Sequence, residues 1–304
     1  MTKYGTQTSW QYILEDSAET PTTSVQFRLP GTITNAPSES NFNIKQYRGL
    51  KQPSDTDQRR VDHIVPSKNE YTFSLTYIPL KRLSAPKYDF RHFHNCAMNN
   101  SSSTAIGGAW TYGTNITSNL RTFTLFKETD NIQKQMKGCK INRLTMRASL
   151  DNPIEITVEG IASSATYADL SRTDATTLRD GTPFMWSDVT IYLDGALATF
   201  CSAFEYTVAN GAESDHSLGD RDPKAITLKG RDIDVQITRQ FNDTGEFAAA
   251  KNGTAKSVTI VLDDGTDVNI GFRDCKYSSI PAPGDNEGIL MHVLRLKAEA
   301  MFTN

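Results

Sequence analysis

The residues able to do chemistry are few and scattered. Arg91-His92-Phe93-His94-Asn95-Cys96 sets two imidazoles and a thiol at alternate positions. Extended backbone would aim His92, His94 and Cys96 to one side, where they would supply three of the four ligands of a tetrahedral zinc site. No fourth ligand stands nearby. The segment reads better as a polar strand end running into Asn99-Asn100-Ser101-Ser102-Ser103, so the three are a weak candidate and no metal or other cofactor is expected. Asp263-Asp264-Gly265-Thr266-Asp267 has the start of a calcium loop but lacks the glutamate that closes one, and it reads as a hairpin turn. Glu155 and Glu159 share one strand face at about 13 Å, from roughly 3.3 Å per residue, too far apart for an ordinary glycosidase pair. There is no Gly-x-Ser-x-Gly elbow, Walker loop or His-Glu-x-x-His motif, and Gly107-Gly108 has no helix after it to cradle a phosphate. No catalytic residue is assigned and no enzyme is expected.

The elements that would position these groups are strands. Apolar and polar residues alternate through Tyr71–Tyr77, Leu144–Ala148, Ile154–Val158, Val189–Leu193, Phe204–Val208, Ile233–Ile237, Val258–Leu262, Val268–Phe272 and Leu294–Ala300. Period two with β-branched residues marks half-buried antiparallel strands. Asp194-Gly195 and Asp264-Gly265 are tight-hairpin signals, and Asp151-Asn152-Pro153 separates two alternating runs. Helical signals are sparse. Asp243-Thr244-Gly245-Glu246 resembles a capping box, which predicts a short helix over Phe247–Lys251 stopped by Gly253. Lys127–Lys137 and Trp10–Glu15 are weaker helical candidates. Residues 30–68 and 94–119, rich in Ser, Thr, Asn, Gly or Pro, are expected to be long loops, ordered by a partner or decorating the surface, on a single β-domain spanning 1–304. The two halves of the chain resemble each other weakly, as a duplicated β-unit would or as ordinary sandwich regularity would.

Composition sets outer limits. The chain has 304 residues, 38% of them hydrophobic, and a net charge of -3; its mean hydropathy is -0.46. No basic excess supports tight phosphate neutralisation. No apolar run reaches the roughly 18 residues of a membrane span, and residues 1–16 lack the apolar core of a secretory signal. The four cysteines, Cys96, Cys139, Cys201 and Cys275, form no Cys-x-x-Cys pair. Buried free thiols are expected.

Gly138-Cys139-Lys140-Ile141-Asn142-Arg143-Leu144-Thr145-Met146-Arg147-Ala148-Ser149, closed by Asp151-Asn152-Pro153 and Ile154–Gly160, resembles a hairpin of the tail tube proteins of long-tailed bacteriophages and related archaeal tailed viruses. A second run is similar to that family's C-terminal half. It passes from Val189–Leu193 with Asp194-Gly195, through Phe204-x-Tyr206-x-Val208-x-Asn210-Gly211 and Ser217-Leu218-Gly219-Asp220-Arg221-Asp222-Pro223, to Asn242-Asp243-Thr244-Gly245-Glu246-Phe247. The resemblance covers about Lys137 to Val261.

It implies an all-β fold with one or two short helices, an antiparallel sandwich or barrel whose long hairpins complete a ring-shaped inner barrel in the oligomer. It further implies a structural virion protein whose homohexameric rings stack into a hollow tube for DNA ejection. The implied partners are the tail terminator, tape measure and distal tail or baseplate proteins, with DNA passing non-specifically and no membrane contact. Assembly would occur in the host cytoplasm and the product would reside in the virion tail. By this analogy Glu155, Thr157, Glu159, Asp234, Gln236 and Thr238 face the lumen, with Arg143 and Arg147 pairing to Glu159 and Glu155. Phe42, Tyr47, Trp110 and Tyr112 are candidate aromatics of surface or inter-subunit loops. The alternative reading is a tail-tip, baseplate or adhesin-like β-sandwich that uses those aromatics to bind a host surface.

Overall fold

The structure is a computed structural model that describes residues 8–17, 20–21, 27–28, 31–40, 44–47, 63–66, 68–81, 90–98, 110–113, 120–129, 132–169, 181–240, 245–263, 268–279 and 291–303. Fourteen strands carry the architecture. The first seven are β1 (Thr8–Ser17), β2 (Gly31–Ser40), β3 (Tyr71–Lys81), β4 (Phe123–Thr129), β5 (Ile132–Ser149), β6 (Glu155–Ala162) and β7 (Ser164–Asp169). The second seven are β8 (Val189–Leu193), β9 (Cys201–Ala209), β10 (Asp232–Gln240), β11 (Lys256–Leu262), β12 (Val268–Tyr277), β13 (Met291–Lys297) and β14 (Ala300–Thr303). Helix α1 (Phe90–Met98) follows β3, and α2 (Gly245–Asn252) follows β10. Every pairing between these strands is antiparallel, and the fold is all-β and sandwich-like with two short helices.

One wide sheet runs β2-β3-β6-β5-β9-β10-β13, with the end of β12 beyond β13. Two smaller sheets cover it. β1-β4-β5-β7 lies in the first half, and β8-β11-β12-β14 in the second. Strand β5 belongs to two sheets because it bends. A bulge falls between Met136 and Cys139, where Gly138 takes a φ of 62°. Glycine accepts that left-handed geometry without a Cβ penalty, and the extra residue re-aims the strand. The bend is anchored by the Ser163 N–H on the Lys137 carbonyl at 3.0 Å and the Gly138 N–H on Glu15 Oε1 at 3.1 Å. Thus the Gly-Cys-Lys motif marks the crossing from one layer to the other.

The alternating apolar residues meet between the layers. Ile154, Ile156, Val158, Ile233, Val235 and Ile237 are each 0–1% exposed. Tyr12, Phe93 and Phe123 interlock, with Phe93 4.9 Å from Tyr12 and 5.5 Å from Phe123 between centroids. Tyr206 and Phe272 stack obliquely at 5.2 Å in the second half, and one continuous core joins both. The cysteines are free thiols; Cys96, Cys139 and Cys275 are buried and Cys201 is half-buried. Burial pushes the Cys96 and Cys275 thiols up to about 12 and raises Cys139 well above its ordinary range, which favours the neutral thiol at all three.

Turn chemistry behaves as the dipeptides predict. Asp194 and Gly195 both have positive φ, 50° and 78°, and Asp151 has 63°. Helix α2 stops at Gly253, whose φ is 64° and whose N–H reaches the Ala250 carbonyl at 3.2 Å. The capping residue Asp243 and the Asp264-Gly265 turn lie outside the described residues.

Three expectations are corrected. Trp10–Glu15 lies in β1, which pairs with β4, and the described residues of Lys127–Lys137 are the end of β4 and the start of β5, which pair with each other. The expected loop over 30–68 contains β2 and a hairpin of Ile44–Tyr47 with His63–Pro66; the expected loop over 94–119 begins inside α1 and contains the strand Trp110–Gly113. The strand expected at His92–Cys96 is helix α1. Among the described residues no helix is long and apolar enough to cross a membrane.

Candidate functional site: the polar face of the wide sheet

Alternation puts a core face on one side of the wide sheet and a polar face on the other. Register assembles that polar face into rows. Ser74, Glu159, Arg143, Ala209 and Asp232 stand in one row. Thr76, Thr157, Thr145, Thr207, Asp234 and Lys297 form the next. Glu155, Arg147, Glu205, Gln236 and Arg295 form a third, and Ser149, Ala203, Thr238 and Val293 a fourth. All six residues singled out from the sequence, Glu155, Thr157, Glu159, Asp234, Gln236 and Thr238, therefore share one face of one sheet. The strand Ala225–Leu228 does not extend it; it pairs with Ala212–Asp215 in a separate hairpin.

Several charges on the face are paired within it. Arg147 grips Glu155 Oε2 through Nε at 2.9 Å and Nη2 at 2.6 Å. Arg143 stands opposite Glu159. Lys297 Nζ lies between Asp232 at 3.7 Å and Asp234 at 3.9 Å. Between the charged rows runs a threonine ladder: the Thr76 and Thr157 hydroxyls are 2.9 Å apart, those of Thr145 and Thr207 3.0 Å. Such exposed pairs contribute little stability, typically about 0–1 kcal/mol each. Their consequence is electrostatic. Interleaved carboxylates and cations leave no uniform positive field to hold a polyanion.

Sequence reasoning missed Ser74, Thr76, Thr145, Glu205, Thr207, Arg295 and Lys297 as members of this face. Each sits at a polar position of an alternating run, so the signal was present. Periodicity does not say which strands are neighbours.

The imidazole and thiol cluster disperses. On helix α1, His92 bonds the Tyr12 hydroxyl through Nδ1 at 2.9 Å, whereas His94 Nε2 reaches the Tyr206 hydroxyl at 2.5 Å. The helical turn sends these two side chains to different strands, and Cys96 is sealed in the core. Among the described residues no three His, Cys, Asp or Glu side chains gather as a metal site. Of the candidate aromatics, Phe42 lies outside the described residues. Tyr47, Trp110 and Tyr112 are described by backbone only: Tyr47 pairs with His63, and Trp110–Gly113 pairs with β14.

The other motifs are braces for the same sheet. Buried Asn210 donates to the Ala97 and Ile141 carbonyls at 2.8 and 2.9 Å and accepts from Arg231 Nε at 2.9 Å, which ties the end of α1 to β5. Asn142 accepts from the Ala212 N–H at 2.7 Å. Glu246 of α2 bonds Arg239 of β10 at 3.1 Å and His292 of β13 at 2.6 Å.

In the Leu218–Pro223 loop, Asp222 accepts from Asn69 Nδ2 at 2.7 Å and from the Tyr71 hydroxyl at 2.5 Å. These two bonds hold the Asp222 carboxyl below the usual carboxylate range. Burial first, then the bond to Asp222, pushes the Tyr71 phenol up to about 12. A lowered carboxyl stabilises the fold above its unfolded pKa of about 4, and that contribution is lost as pH falls through the folded value. A raised phenol stabilises below its unfolded pKa of about 10 and is lost as pH rises through the folded value. The clasp therefore works fully between about pH 4 and pH 10. Thermal melts should show Tyr71→Phe destabilised at pH 7, with the deficit shrinking at pH 3 and above pH 11. A deficit independent of pH would place the effect elsewhere.

A family model described as phage tail tube protein matches residues 9–300. No curated protein matches the chain.

Proposed function

Since the chain belongs to the phage tail tube protein family, and is thus a structural protein of the virion tail, we propose that it assembles into rings of six tube units that stack into a hollow tube, with the polar sheet face lining the channel through which DNA leaves. With one unit in each chain such a ring would be a homohexamer. The observation that carries this reading is the wide sheet itself: one face given to the core, the other polar over the six strands from β3 to β13, with carboxylates and cations interleaved. A lone sheet of that size exposes two long edges, a hazard that pairing with neighbours removes.

Stacking has a matching surface. Leu150, Trp186, Leu197 and Phe200 are 46%, 39%, 57% and 70% exposed, and they line one groove at the end of β5 and the start of β9. Contiguous exposed apolar groups such as these favour association with another subunit. The tail terminator, tape measure and distal tail or baseplate proteins would meet the ends of the finished tube, which would be assembled in the host cytoplasm.

Purified protein should form concentration-dependent hollow filaments in negative stain. Protein that stays monomeric at every concentration and salt, with no ring class, contradicts the proposal.

A further inference from the structure

The weak similarity between the two halves of the chain becomes specific in the structure. Each half holds seven of the fourteen principal strands, with a helix after the third of them. Six antiparallel pairings recur in the same places. β1–β4, β4–β5, β5–β6, β5–β7, β2–β3 and β3–β6 correspond to β8–β11, β11–β12, β12–β13, β12–β14, β9–β10 and β10–β13.

The bend in β5 also has a twin. In β12 the ladder shifts between Phe272 and Cys275, and Asp274 takes a φ of 52° where Gly138 has 62°. Each is followed by a buried cysteine and a lysine, Cys139-Lys140 and Cys275-Lys276. The Lys137 carbonyl accepts from the Ser163 N–H at 3.0 Å; the Arg273 carbonyl accepts from the Glu299 N–H at 3.2 Å. The pairs Lys140↔Ile161 and Ile141↔Gly160 match Lys276↔Lys297 and Tyr277↔Leu296. Every one of these counterparts is separated by 136 residues, as from Gly138 to Asp274. Sandwich regularity gives neither a common offset nor a repeated bulge; a duplicated unit gives both.

Within the wide sheet the halves join once: β5, at the inner edge of the first unit, pairs with β9, the first strand of the second, from Arg143↔Ala209 to Ser149↔Ala203; outside it, Trp110–Gly113 pairs with β14. The counterparts of β5 and β9 stand at the two ends of the wide sheet. β2, the counterpart of β9, pairs only with β3 among the described residues, and β12, the counterpart of β5, closes the other end. The wide sheet thus begins with the counterpart of the acceptor strand of its internal junction and ends at Lys276 and Tyr277, where the counterpart of the donor strand enters it; the counterparts of Arg143–Ser149, at 279–285, fall mostly outside the described residues.

We infer that a second copy of this chain docks its β2 edge against the β12 end of the first, repeating the β5–β9 junction, so that each chain supplies two tube units and three chains close a ring of six. The occupant is a copy because the junction it would complete is already made once within the chain. This heterologous contact closes if the rotation between copies is twice that between units. The inference rests on the six-unit ring proposed above.

Native mass spectrometry of dissociated rings, with the symmetry of the intact tube from cryo-electron microscopy, tests it. The expected result is a ring of about three times the 33.7 kDa chain mass, three-fold symmetric with near six-fold repetition of the wall. Six chains per ring in an intact tube overturns the inference and leaves the tube reading standing. Failure to form any ring or tube overturns the tube reading and the inference with it.

Discussion

Gly160→Val is expected to abolish soluble folded protein. A Cβ at this position would lie 2.3 Å from the Phe73 ring and 2.4 Å from the Lys140 carbonyl oxygen. The ring can turn only into a filled core, and the carbonyl belongs to the β5 backbone beside the bend. Overpacking a well-packed interior forces side chains off their rotamers and shifts backbone, at about 1–3 kcal/mol and occasionally more. Most domains have only about 5–15 kcal/mol in total. Gly230→Ala is the control: nothing lies within 4 Å of its Cβ position, and the change should stay within about 0.5 kcal/mol. Circular dichroism and thermal melts of the two variants distinguish the cases. A Gly160→Val protein that melts with its parent would mean that β3, β6 and β5 do not pack as described.

Thr145→Lys combined with Thr157→Lys should leave assembly intact and slow DNA passage. Both positions sit on the polar face in the row of threonines, where neighbouring hydroxyls are 2.9–3.0 Å apart. Lysine stems fit an open face, so folding should survive. Each copy would then add two unpaired cations to the proposed channel wall. Cations that neutralise phosphates bind DNA with a steep salt dependence, a slope near -0.9 per contact on logarithmic axes. Ejection from virions carrying the variant should be slower by about tenfold or more at low salt and should recover as salt rises. A parental ejection rate at low salt, from virions with normal tails, would remove this face from the channel.

How far the chain could be read in advance depended on which forces acted locally. The runs Leu144–Ala148 and Ile154–Val158 announce themselves, because a half-buried strand must alternate and Asp151 can take the positive φ its turn demands. Helix α1 was hidden: His92, His94 and Asn95 are indifferent helix formers, and the alternation of His92, His94 and Cys96 mimics a strand. Phe93, Cys96 and Ala97, at i, i+3 and i+4, carried the helical signal and are the residues that enter the core.

The start of β5 was hidden for the opposite reason. Ile132-Gln133-Lys134-Gln135 looks solvated, yet Gln133 and Lys134 are both 3% exposed. Gln133 Nε2 donates to Glu128 at 3.0 Å, and the Lys134 ammonium lies 5.5 Å from the centre of the Tyr167 ring. Partners from β4 and β7 make that burial tolerable, and neither partner is visible from within the run. The polar face was half visible in the same sense. Its residue types follow from alternation, while its rows follow from register between residues as far apart in sequence as Ser74 and Glu159.

The central claim is that the face bearing Glu155, Thr157, Glu159, Asp234, Gln236 and Thr238 lines a channel. A cryo-electron microscopy map of the assembled tube, at a resolution that traces β5, β6 and β10, tests it directly. The account predicts that these side chains project into the lumen and that the core residues Ile156, Val158 and Val235 point away from it. A tube whose lumen is walled by any other surface, with this face on the exterior or buried between rings, contradicts it.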